Sequence, residues 1–200
     1  MSYDLALVPR WIQKSESKFR DNIISFLLGL FGLVLLAQVS IPLPWTPVPI
    51  TGQTFGVYYL ALVWGRKRAL AVFLTYLILG GFGLPVFASG SSGLVFGPTL
   101  GYLAGMAVAT FWLGSLADWG WASTWFKTYL ACFSSSLIIF AFGVFGLAFF
   151  IPAENLLAAG VLPFLPGDLL KTILATTLAM KTSNAFRRQG LLSYCRLFHS

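Results

Sequence analysis

Charge is scarce in this sequence: only 10% of its 200 residues are Asp, Glu, Lys or Arg, against about 25% in a soluble domain. So few charges cannot cover a water-exposed surface, so most of the surface must face lipid. Histidine is scarcer still. The single one, His199, is the penultimate residue, which argues against His-based general base catalysis and His-rich metal sites. There is no G-x-x-x-x-G-K-[ST] loop, so no ATP site of that type is expected in this chain. The two cysteines, Cys132 and Cys195, fall in an apolar run and in the C-terminal tail, and neither has a disulfide partner in an outer loop. Serine clusters occur at 89–92 and 134–136, but no nearby base would activate them. Such serines usually pack and hydrogen-bond between membrane helices. Neither an internal repeat nor inverted halves are evident. Binding is therefore favoured over catalysis, and no catalytic residue, metal or cofactor is assigned.

What is present is apolar and patterned: 58% of the residues are hydrophobic, with 19 Phe and 7 Trp. Apolar runs place six transmembrane helices at about 22–40, 52–64, 68–84, 98–117, 127–151 and 166–182, lengths near those needed to cross about 30 Å of hydrocarbon. The basic residues alternate with these runs. Arg10, Lys14, Lys18 and Arg20 precede the first; Arg66, Lys67 and Arg68 separate the second from the third; Lys127 opens the fifth; Lys181, Arg187, Arg188 and Arg196 follow the last. The loops at 41–51, 85–97 and 152–165 contain no Lys or Arg, and Glu154 is their only charge. This distribution puts both termini in the cytoplasm. It also argues against nucleic acid as the partner of the +7 net charge, because a nucleic-acid surface would gather its charges in one patch. The expected organisation is a cytoplasmic segment at 1–21, one six-helix membrane domain at 22–183 and a basic cytoplasmic tail at 184–200. The first segment carries charges of both signs and Pro9, unlike a secretory signal. Trp11 and Phe19 allow it to form an amphipathic helix at the membrane surface.

Polar chemistry in the wrong solvent marks the candidate site. In PFLPGDLLK, Pro166 suits the first turn of a helix, and Asp168 and Lys171 follow at spacing i, i+3 on one face. A charge deep in a span costs about 2.5–3.5 kcal/mol, less near the interface, so two on one face need a reason. One is an Asp168–Lys171 ion pair with Lys171 snorkelling outward; the other is a polar pocket entered from outside. Two outer segments favour the pocket. IPLPWTPVPITGQT has four prolines and Trp45, which make a regular helix impossible, and it brings Gln53 and Thr54 to the start of the second span. GGFGLPVFASGSSGLVFGP has six glycines, with Ser89, Ser91 and Ser92 among apolar residues. Non-helical backbone at membrane depth is tolerated where it lines a cavity. Tyr102 follows and is expected to bring a phenol to the same face.

Together AQVSIPLPWTPVPITGQTF, GLPVF with its glycine/serine continuation, GPTLGYLAG and PGDLLK resemble the BioY family, the biotin-specific substrate-capture (S) subunits of energy-coupling factor transporters. The likeness runs from about residue 37 to 171. It implies an all-α, S-component-like fold of six membrane helices, and capture of biotin from the outer side of a bacterial cell membrane. It also implies work with a transmembrane coupling protein and two cytoplasmic ATPases, which fits the missing ATP site. Asp168 and Lys171 match the family's DxxK pair and are expected to contact the ligand, Lys171 at the valerate carboxylate and Asp168 at N–H donors. Gln53, Ser89, Ser91, Ser92 and Tyr102 complete the expected ligand set. The family's small-xxx-small docking pattern on the first helix has its nearest counterpart in Ser25, Gly29 and Gly32, a spacing equally suited to ordinary helix packing. Two alternatives stay open: capture of another small carboxylate-bearing vitamin, and a membrane scaffold whose Asp–Lys pair is structural.

Overall fold

A computed structural model describes residues 6–14, 17–93 and 97–188. Leu94, Phe96, Cys195, Arg196 and His199 lie outside the described residues. The chain is built of helices: α1 (Leu7–Lys14), α2 (Lys18–Gln38), α3 (Gln53–Gly81), α4 (Leu100–Asp118), α5 (Trp125–Leu147), a short α6 (Leu156–Gly160) and α7 (Leu165–Arg188). Two two-residue strands, β1 (Ser40–Ile41) and β2 (Ile50–Thr51), pair antiparallel with Ser40 opposite Thr51 and Ile41 opposite Ile50. The four prolines lie between the strands, where a missing N–H breaks no ladder bond. The non-helical outer segment expected from the sequence is thus a hairpin, closed by the Gly52 amide donating to the Val39 carbonyl at 2.8 Å.

Helix α3 replaces two expected helices and the loop between them. Its break is Gly65, at φ 72° and ψ 176°, a backbone region essentially closed to residues with a Cβ. A Cβ there would also collide with the Asp118 carboxylate and the Ala6 methyl. The two arms, 53–64 and 66–81, fold back on each other, because Gln53 and Tyr76 hydrogen-bond across them. Over 23 residues a straight helix would hold those side chains about 35 Å apart. Arg66, Lys67 and Arg68 form the tip of this hairpin. The reversal is secured by the Arg66 amide, which donates to Asp118 Oδ2 at 3.0 Å.

The N-terminal helix differs from its expected place at the membrane surface. Leu7, Val8 and Ile12 of α1 are buried in the same core as α3. Its apolar face is covered by protein. Phe19, paired with Trp11 in the sequence reading, is instead 81% exposed at the start of α2. At the other end, α7 continues through Arg188, so the first residues of the expected tail extend a helix.

Among the described residues, α2, α4 and α5 are each long and apolar enough to cross a membrane, and the α6 region with α7, bent by 43°, makes a fourth candidate. Each α3 arm is shorter. Large apolar side chains point outward, including Leu27, Leu28 and Phe31 of α2 and Phe142 and Phe145 of α5. Tyr58, Phe73, Tyr76 and Thr172, by contrast, are fully buried. Apolar side chains outside and hydroxyls inside suit a lipid solvent.

Candidate functional site

Pro166 stands in the first turn of α7, as its missing N–H requires. Two residues on, Asp168 is buried between helices. Its Oδ1 accepts the Tyr58 hydroxyl of α3 at 2.9 Å, and its Oδ2 accepts the Ser136 hydroxyl of α5. Lys171, one turn further and half-buried, sends its ammonium to the Thr51 carbonyl of β2 at 2.7 Å. The two charged groups do not pair with each other; no nitrogen–oxygen approach between them falls within 4.0 Å. The self-neutralising pair is therefore absent, because neighbouring helices and the hairpin hold each partner separately. A carboxylate accepts at two oxygens, and an ammonium has three donors. One donor goes to Thr51, leaving two without a protein partner among the described residues.

Both side chains line a cavity of about 370 Å³, within the size range of small-molecule sites. Its remaining walls are largely apolar: Val48 of the hairpin, Phe87 of the glycine-rich loop, Met106 of α4, Ile139 and Phe140 of α5, and Phe164. Thr54 also lines it, with a buried hydroxyl that has no hydrogen-bond partner among the described residues.

The structure gathers most of the sequence-derived set, though with altered roles. Gln53 lines the cavity, but its Oε1 accepts the Thr51 hydroxyl at 3.2 Å and its Nε2 donates to the Tyr76 hydroxyl. Tyr102 presents its ring, since its hydroxyl donates to the Gly160 carbonyl at 2.7 Å. That ring fits only because residue 143 is glycine; a Cβ there would enter it. Ser91 and Ser92 line the cavity, and Ser91 Oγ donates back to the Ala88 carbonyl. Ser89 does not line it: it is exposed at φ 56°, in the turn that carries its neighbours. Ser25 and Gly29 face inward. The Ser25 carbonyl accepts the Trp64 indole N–H at 3.0 Å, and Gly29 lies against Leu60, Trp64 and Val72; Gly32 opens onto free space.

Sequence reasoning did not single out Tyr58, Tyr76, Thr51 or Ser136 as parts of the site. Only Ser136 carried a signal, as one of three serines in an apolar run. No local motif says which of the three meets a carboxylate 32 residues away.

Lipid-facing rods enclosing a ligand-sized cavity with one carboxylate and one ammonium define a helical membrane protein of the solute-binding kind. The BioY family model matches residues 13–188. The chain belongs to the BioY family. Similar proteins include the biotin transporter BioY of Thermotoga maritima, 37% identical over 157 residues, covering 76% of this chain and 91% of that protein. The biotin transporter BioY of Rhodobacter capsulatus is 35% identical over 188 residues, covering 84% and 96%. The fold is similar to the crystal structure of the S-component for biotin from an ECF-type ABC transporter. The TM-score is 0.78 at 23% identity, over 85% of this chain and 94% of that one.

Proposed function

We propose that this chain is the biotin-capture subunit of an uptake transporter, a binding protein and not an enzyme. Lys171 carries this reading: it is an ammonium held at one point, with two donors left over, at the edge of a mainly apolar cavity. Such a site suits a ligand with an apolar body and a terminal carboxylate. Asp168 is oriented by Tyr58 and Ser136 and has further lone pairs to accept ureido N–H groups. The names of the relatives supply biotin as the particular ligand. Isothermal titration of the purified protein tests this, with saturable biotin binding expected. Competition by a panel of carboxylate-bearing vitamins separates biotin from its rivals. If excess unlabelled biotin leaves a bound label in place, the ligand is another vitamin.

Six spans with cytoplasmic termini are part of the same proposal. Support comes from the break at Gly65, which yields two antiparallel arms, and from Arg68 at its basic tip, which donates to Asn22, close in sequence to Lys18 and Arg20. Energy would come from a coupling protein in the plasma membrane and two cytoplasmic ATPases, as the S-component likeness suggests. The docking face would include Gly32, with Ser25 and Gly29 supporting it from behind through α3.

A further inference from the structure

We infer that Tyr76, which does not line the cavity, is a positioning residue that sets the ligand-binding ammonium of Lys171 through a chain of hydrogen bonds. The chain crosses three elements. Tyr76, on the second arm of α3, accepts the amide N–H of Gln53 on the first arm. The amide oxygen of Gln53 accepts the Thr51 hydroxyl, and the Thr51 carbonyl accepts the Lys171 ammonium at 2.7 Å. Each link is fixed from behind. Tyr76 is fully buried, its ring against Phe73 at 5.9 Å and Phe87 at 5.3 Å. Gln53 is 5% exposed. A buried amide must place both its donor and its acceptor, so its two partners decide how it is oriented. Thr51 lies in β2, whose two-residue ladder is too short to hold a carbonyl rigidly by itself. The Gln53 amide supplies the missing anchor. Lysine is otherwise a flexible point charge on a four-carbon stem, and the anchored carbonyl is the group that gives its ammonium a direction.

This inference rests on the carboxylate-binding role proposed for Lys171. Its test compares biotin with a biotin analogue in which a methyl group replaces the carboxylate, both titrated by calorimetry. Tyr76→Phe keeps the ring and removes only the hydroxyl that accepts from Gln53. It should weaken biotin binding about 5- to 10-fold, the worth of roughly one hydrogen bond, and change binding of the methyl analogue by less than about twofold. Gln53→Met with Tyr76→Phe removes both ends of the Gln53–Tyr76 bond and releases the Thr51 hydroxyl, and should lose the same preference. In a Lys171→Ala background, Tyr76→Phe should add no further loss. Equal weakening of both ligands would assign Tyr76 to packing and overturn the inference, as would unchanged biotin affinity or full additivity with Lys171→Ala. Failure of the wild-type protein to bind biotin sinks the functional proposal itself and is recognisable before any variant is made.

Discussion

Asp168 and Lys171 each hold protein groups, and the proposed function gives each a ligand contact as well; substitutions should separate the two. Lys171→Ala removes the ammonium that faces the cavity. It should weaken biotin binding about 10- to 100-fold, the range of a charge-assisted hydrogen bond, and titration calorimetry reads that loss. Asp168→Ala also strands the Tyr58 and Ser136 hydroxyls in the interior. It should therefore lower ligand affinity and also destabilise the unliganded protein by about 1–3 kcal/mol. Tyr58→Phe leaves the carboxylate with Ser136 and should cost less than Asp168→Ala in both measurements. Thermal unfolding in detergent, with and without biotin, reads both effects, because a ligand that binds only the folded state raises the melting temperature.

At the scale of elements, Gly65 is the most exposed to test. Gly65→Ala imposes a Cβ on a glycine-only conformation and drives it into Asp118 and Ala6. Strain of that kind costs about 1–3 kcal/mol, so the variant should unfold at a lower temperature than the wild type. An unchanged melting temperature would mean that the arms do not reverse there. Much at this scale is legible in the sequence. Apolar runs show where helices α2, α4, α5 and α7 lie, because hydrophobic length is set by the membrane. The start of α7 is legible because proline has only one comfortable place in a helix. The one-residue reversal is not, since Arg66, Lys67 and Arg68 read as a loop and nothing local reveals that Asp118 will clamp it. Nor is the burial of α1. An amphipathic helix has the same pattern whether lipid or protein covers it. In the site, Asp168 and Lys171 stand out because charge in a span is costly. Tyr58, Thr51 and Tyr76 stay hidden because a hydroxyl or a carbonyl costs little wherever it finds a partner.

For the molecule as a whole, the proposed topology places the hairpin and the glycine-rich loop outside, and the α3 tip inside. In a background lacking Cys132 and Cys195, Phe82→Cys should be labelled on intact cells by a membrane-impermeant maleimide, and Lys67→Cys only after permeabilisation. Labelling of both from outside would contradict the orientation. The central claim is more specific: the cavity between α3, α4, α5 and α7 takes biotin by its carboxylate at Lys171. Titration of the purified, folded protein with biotin tests it most directly, run side by side on wild type and Lys171→Ala. The expected result is saturable binding of one biotin per chain, weakened about 10-fold or more in the variant. Equal affinity in the two proteins, with the variant still folded, would contradict it.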